Sequence, residues 1–385
     1  MSRYHSYFNK AVSFLELYQG KQPFALFLKE QFAFQKQMGS TDRRLVRHYC
    51  YCYFRLGKAL PNATVGDRLL AGVWLTSQAK DPLLELYRKG WNDKVEWGAE
   101  KKLNDLGIKA EDIFPFCDEL SEGFHENYWS LSLLEQPALF IRVRPGKEKQ
   151  LADRIKKLQL NYQQLTPSSF SFPAATQLQN LEGLNRDYVI QDYSSQQIAT
   201  LFVHLKSENL RIAWDCCAAS GGKSILVTDS FPKINLLASD VRNTMMPQLR
   251  NRLQQAGLPQ CKTSVIDLEQ AIPKDLQTSV DLLIADVPCS GSGTWGRTPE
   301  QLCFFEHSKI ETYASLQQKI LTHALASLRK GGYLLYITCS VFQQENENNV
   351  EWLVQEQKLQ LIQSALFDGK SMQADTLFAA LLQKA

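Results

Sequence analysis

No C-x-x-C pair occurs in these 385 residues, and the nine cysteines, an odd number, are scattered from Cys50 to Cys339. A zinc ribbon and a disulfide framework are both disfavoured, so a reducing cytoplasm is the expected setting. No apolar run approaches the roughly 18 residues that would span a bilayer. The opening M-S-R-Y-H-S-Y-F-N-K lacks a signal core. A soluble protein with no membrane partner is expected. No solenoid repeat is present, and no ligand cluster points to a metal. Net charge is small too, at +3. A monomer is the expectation.

What charge there is lies unevenly. Residues 1–60 hold ten Lys/Arg against three Asp/Glu, net +7, whereas 201–385 sum to −1. A basic front on a near-neutral rear suggests a polyanion-docking module joined to a catalytic one. A merely solvated helical surface is the competing account. Val12, Leu15, Leu17 and Tyr18, then Leu45, Tyr49, Tyr53 and Leu56, recur at helix-like spacing. Residues 1–130 therefore read as a helical domain, with Arg43, Arg44, Arg47 and Arg55 lining the exposed side of the second run.

Near Pro137 the pattern changes. A β-like A-L-F-I-R-V-R-P precedes an amphipathic K-E-K-Q-L-A-D-R-I-K-K-L, and seven Lys/Arg against two acids lie between Arg142 and Lys157. Residues 135–200 read as a small α+β domain. From 201 to 385 the strand candidates 211–215, 235–239, 263–266, 281–286 and 333–338 alternate with helical patterns at 222–229, 242–256, 309–328 and 346–356. Such alternation means an α/β, Rossmann-like domain: a mostly parallel sheet with helices on both faces. Ligands bind such sheets at the carboxyl ends of the strands.

Three motifs fall there. R-I-A-W-D-C-C-A-A-S-G-G-K-S (211–224) is a strand followed by a turn of small residues, which lets backbone approach a ligand closely. Its G-G-K-S tail looks like a P-loop, but Cys217 stands where that motif needs its first glycine, so an NTPase is disfavoured. S-adenosylmethionine is the alternative ligand: its ribose wants a carboxylate at the next strand end, where Asp240 lies, and Asp267 one strand on could meet the adenine. Taken singly, each acid is also an ordinary helix cap. G-S-G-T-W-G (291–296) formally matches a dinucleotide fingerprint but lacks the strand-to-helix context and reads as an active-site loop.

The other two motifs are V-D-L-L-I-A-D-V-P-C-S-G-S-G (280–293) and G-G-Y-L-L-Y-I-T-C-S (331–340). A lone free cysteine is often an inert buried hydrophobe. Two at the ligand edge have a joint chemistry. Carbon 5 of a pyrimidine is a poor nucleophile until a thiolate adds to carbon 6, and the thiol must later be eliminated. Asp286 is placed to assist by hydrogen-bonding the base. The residues alone do not rank the two thiols.

D-C-C-A-A-S-G-G-K-S, D-V-P-C-S-G-S-G and T-C-S-V-F-Q-Q-E-N-E-N together resemble the RNA cytosine-5 methyltransferases of the Sun/Fmu family, over roughly 135–385. The resemblance implies S-adenosylmethionine as cofactor and RNA as partner, ribosomal first and transfer RNA second. It implies Cys339 as the nucleophile, Cys289 as the thiol assisting product release, Asp286 on the cytosine and Lys223 nearby. Cofactor contacts would come from Cys217, Ala218, Ala219, Ser220, Gly221, Gly222, Lys223, Asp240, Asp267 and Asp286. Arg297, Pro299 and Glu300 follow in family style, Arg297 toward RNA. Ser220, Ser224 and Met245 depart from the usual proline, threonine and arginine.

The front end resembles the NusB-like RNA-binding domain of some members, through G-S-T-D-R-R-L-V-R-H-Y-C-Y-C-Y-F-R, which implies RNA contacts by Arg43, Arg44 and Arg47. Residues 137–200 resemble the family's small RNA-recognition-like domain, where Arg142, Arg144, Lys147, Lys156 and Lys157 would hold phosphates. The competing functional reading is a non-catalytic RNA-binding or ribosome-assembly factor on a methyltransferase scaffold.

Overall fold

Parallel strands buried on both faces need near-continuous apolar sequence, and the run V-D-L-L-I-A-D forms such a strand at the middle of a seven-stranded sheet. The computed structural model describes residues 2–35, 37–124 and 126–385. It divides into two compact units: residues 1–136 with 294–307, and residues 137–293 with 308–385. The second grouping differs from the expected three domains, because the small α+β segment shares a unit with the large sheet. The first differs because a segment from the middle of the rear half packs with the helices.

In the helical unit, the helix Arg3–Leu17 buries Ala11, Phe14 and Leu15, while Leu17, expected on the apolar face, is exposed. The helix Ser40–Arg55 buries Val46, Tyr49, Cys50 and Phe54. Arg55 corrects a second expectation. Only 4% exposed, its guanidinium donates to the carbonyls of Leu133, Glu135 and Gly296 and to the Gln136 side chain. A buried cation needs such acceptors, and a solvent-facing arginine would not gather four of them. Gly296 belongs to the segment Thr294–His307, whose Glu300 carboxylate accepts from Phe24 N at the start of the helix Phe24–Ala33.

In the second unit, β1 (Leu139–Val143), β2 (Gln163–Thr166), β3 (Ser169–Phe172) and β4 (Tyr188–Ile190) form an antiparallel sheet ordered β2-β3-β1-β4. Leu151 and Ile155 of the helix Glu148–Lys157 pack against its Ile141, Val143, Phe170 and Phe172. The large sheet holds β5 (Ile212–Asp215), β6 (Asn235–Asp240), β7 (Lys262–Val265), β8 (Val280–Asp286), β9 (Leu328–Thr338), β10 (Leu359–Asp368) and β11 (Thr376–Lys384). Its order is β10-β11-β9-β8-β5-β6-β7. β5 to β9 run parallel to one another, as the alternation required. The antiparallel pair β10 and β11 was not expected. T-L-F-A-A-L-L-Q-K has helical propensity and no period of two, but pairing with β9 overrides it.

Candidate functional site

Adjacent parallel strands that end level bring their following turns together. Asp286 lies opposite Ile337 in the β8–β9 pairing, so Pro288-Cys289 and Thr338-Cys339 leave the sheet side by side. The two thiols meet, with Cys289 Sγ 3.1 Å from Cys339 Sγ. Gly293 N donates to the Cys339 carbonyl at 2.8 Å. Only glycine fits there, since a Cβ would lie 2.0 Å from the Thr376 carbonyl oxygen.

Lys223 Nζ lies 2.9 Å from Asp286 Oδ2. Burial opposes the lysine's charge, but Asp286 and Cys339 more than offset it, and the net shift is upward. The ammonium is thus kept, close enough to Cys339 to act on it electrostatically. The hydrogen bond to Cys339, with burial, pushes the Cys289 thiol well above its usual range, so Cys289 keeps its proton. A thiol held protonated beside a second thiol suits the part of an acid in a two-thiol site.

The turn after β5 is built from backbone. Ala219 takes φ +45° and its N–H donates to Asp240 Oδ2 at 3.0 Å. Gly221, at φ +84°, opens the helix Gly222–Ser230. An added Cβ at Gly221 would meet Leu249 at 2.9 Å, whereas one at Gly222 meets nothing, so the turn is packed beneath and open in front. With a buried acid at the end of β6, this fits a ligand bearing a carboxylate, an amine and a ribose diol, the groups of S-adenosylmethionine. Asp240 also accepts from the backbone and guanidinium of Arg242; burial pushes its carboxyl up, but these donors outweigh it and the net shift is down. Asp267 is exposed and accepts from Glu269 N, capping its own loop.

The departures find local partners. Ser220 Oγ accepts from Arg252 at 2.7 Å, and Arg252 also donates to Asn185. Ser224 Oγ donates to Asp215 Oδ2 at 2.6 Å. Met245 ends a short 3-10 turn and is half-buried, and the acid of β6 is held by Arg242.

Several expected RNA contacts change character. Arg142 and Arg144 are corrections. Both pair with the buried Asp229, at 2.6 and 2.8 Å, fastening β1 to the helix Gly222–Ser230 instead of facing phosphate. Arg43 is half-buried and donates to the carbonyls of Gln35 and Met38. Arg44, Arg47, Lys156 and Lys157 are exposed, and Lys147 and Arg297 are partly so. Ser340 and Glu345 stand in the T-C-S-V-F-Q-Q-E-N-E-N motif with no role assigned to them there, and Gln317 was missed; the three form a buried polar group behind the thiols. Their place in a hydrogen-bond network leaves no trace in spacing or composition.

Strand order, the turn after β5 and the strand-end acids together define the Rossmann-like methyltransferase class. Within that class, residues 202–381 match the family model described as 16S rRNA methyltransferase RsmB/F. Ribosomal RNA small subunit methyltransferase B of Shewanella oneidensis is 34% identical over 163 residues, 42% of this chain and 37% of that protein. The probable methyltransferase B of Coxiella burnetii is 27% identical over 304 residues, 75% of this chain and 68% of the other. The chain spans about two-fifths of the length of the first relatives it matches. Among solved structures, PH0851 superposes with a TM-score of 0.72 at 18% identity over 97% of each chain. A methyltransferase homologue from Pyrococcus horikoshii gives 0.59 at 18% identity, covering 74% of this chain and 98% of that one. These two likenesses concern the fold. Among the described residues, no helix is long and apolar enough to cross a membrane, and no group of three or more His, Cys or acids could hold a metal.

Proposed function

We propose that the protein is an S-adenosylmethionine-dependent RNA cytosine-5 methyltransferase acting on ribosomal RNA. The observation that carries this reading is the 3.1 Å contact between Cys289 and Cys339, beside the Lys223–Asp286 pair. A methyltransferase working on an exocyclic amine has no use for two thiols. The relatives from Shewanella oneidensis and Coxiella burnetii, a ribosomal RNA small subunit methyltransferase B and a probable one, point to the substrate class.

Residues 217–223 and Asp240 would hold the cofactor, with Asp267 and Asp286 at its flanks; S-adenosylmethionine supplies an electrophilic methyl group when bound. Cys339 Sγ, facing the Lys223 ammonium, adds to carbon 6 of a cytosine extruded from its stack, which makes carbon 5 nucleophilic. Asp286, held by Lys223, orients the base through its ring edge. For product to leave, the carbon-5 proton passes to a base such as water as the Cys339–carbon 6 bond breaks and its electrons return to Cys339 Sγ; Cys289, which keeps its proton, assists by donating a hydrogen bond to the departing thiolate. The exposed Arg44, Arg47, Lys156 and Lys157, with Lys147 and Arg297, serve RNA phosphates. Cytoplasmic location and a monomeric state belong to the same proposal.

The test is transfer of labelled methyl to unmodified small-subunit ribosomal RNA by wild type, Cys339→Ala and Cys289→Ala side by side. Wild type should yield 5-methylcytosine, Cys339→Ala should yield none, and Cys289→Ala should accumulate a protein–RNA adduct on a denaturing gel. Full activity in Cys339→Ala would overturn the nucleophile assignment. No transfer by wild type to any ribosomal RNA or assembly intermediate would overturn the substrate.

A further inference from the structure

Behind the thiols lies a carboxylate with no part in the chemistry above. Glu345 is fully buried. Its Oε2 accepts from Ser290 N at 2.9 Å and from Gln317 Nε2 at 2.8 Å, and its Oε1 accepts from Ser340 Oγ at 2.6 Å. Ser290 directly follows Cys289, and Ser340 directly follows Cys339. One side chain therefore grips the residue after each thiol. The two loops share further bonds: Ser290 Oγ with Ser340 Oγ at 3.1 Å, and Val341 N to Ser292 Oγ at 2.9 Å. Gln317 completes the frame, donating also to the Pro288 carbonyl just before Cys289 and accepting from Tyr336. Burial pushes the Glu345 carboxyl above its ordinary range and the donors draw it partway back, so desolvation here has a cost that the fold tolerates.

We propose that Glu345 is a positioning residue that sets the separation and aim of the Cys289–Cys339 pair, an inference that rests on the two-thiol reading of the site. Carboxylate suits the task because it accepts at both oxygens, whereas the amide of glutamine accepts at one and would turn N–H toward Ser340 Oγ, a hydroxyl that already accepts from Phe342 N and Ser290 Oγ. The glycine-rich turn 291–293 is a weak spacer by itself, so the clamp supplies the rigidity. Gripping two loops at once gives a buried acid a use at a position where an apolar residue would pack at less cost.

The experiment compares wild type, Glu345→Gln and Glu345→Asp in two assays. The first follows closure of a Cys289–Cys339 disulfide by diamide, which takes two hydrogens from the thiols and becomes the hydrazine; the linked peptide is identified by mass spectrometry. The second measures kcat and KM for methyl transfer. Loosening the loops by an ångström should slow both disulfide closure and kcat by about ten- to a hundredfold in Glu345→Gln, with KM for the cofactor within about twofold. Glu345→Asp, which keeps the charge but shortens the reach, should fall between. Disulfide closure at the wild-type rate in folded Glu345→Gln overturns the proposal, whatever the activity. Because closure needs no RNA, failure of the methyltransferase reading leaves this test standing. Should Glu345→Gln not fold, Ser340→Ala removes one arm; several-fold slower closure supports the clamp, and an unchanged rate refutes it.

Discussion

Asp215, at the end of β5, is fully buried; its Oδ2 accepts from Ser224, and its Oδ1 has no hydrogen-bond partner. Burial raises its pKa from 3.8 to about 7. The folded protein then binds this proton more tightly than the unfolded chain, so the contribution of Asp215 to stability is fully present below pH 3.8, is lost as pH climbs toward 7, and stays lost above it. A shift of about 3 units corresponds to about 4 kcal/mol, of which about 3 kcal/mol lies between about pH 5 and pH 8. Asp215→Asn keeps an acceptor for Ser224 but cannot ionise. Swapping the carboxyl for an amide adds a pH-independent offset, so the informative quantity is the change in the mutant–wild-type difference with pH. Urea unfolding at about pH 5 and about pH 8 should show the variant gaining about 3 kcal/mol on wild type at the higher pH. Other titrating groups are common to both proteins and cancel. An equal difference at the two pH values would refute the reasoning, because Asp215 would then be solvated or paired in a way its burial denies.

Other consequences follow from single contacts. Arg55→Met strips the donors from the carbonyls of Leu133, Glu135 and Gly296 and should cost about 3 kcal/mol in the helical unit, read as lost protection in hydrogen exchange over residues 40–55. Wild-type protection there would show the guanidinium to be dispensable. Gly293→Ala drives a methyl to 2.0 Å from the Thr376 carbonyl oxygen and should cost at least about 2 kcal/mol in thermal unfolding, while Gly222→Ala, with nothing near its added Cβ, should cost well under half of that. Equal melting temperatures for the two variants would sink the distinction.

The catalytic sheet was legible because parallel strands must be apolar throughout and must alternate with helices: 281–286 and 309–328 were readable before any coordinates. The helices of the front end were equally plain. The hairpin β10–β11 was not, since its second strand is Ala- and Leu-rich and becomes a strand only by pairing with β9. Nor was the place of Thr294–His307, whose attachment through Gly296 and Glu300 to Arg55 and Phe24 depends on groups some 240 to 280 residues apart in sequence.

By itself, then, the sequence marked the candidate site: Cys289, Cys339, Asp286 and Lys223 lie at or just after strand ends, where the motifs put them. Only the tertiary structure decided which groups are spent on holding the molecule together. Arg142, Arg144 and Arg55 carry the same charge as Arg44 and Arg47, yet Asp229 and a ring of backbone carbonyls take up the first three while the other two stay in solvent. Glu345 is one acid among many until folding buries it between two thiol-bearing loops. A side chain's identity fixes what it can donate or accept, but burial and partners, set by contacts distant in sequence, fix what it does.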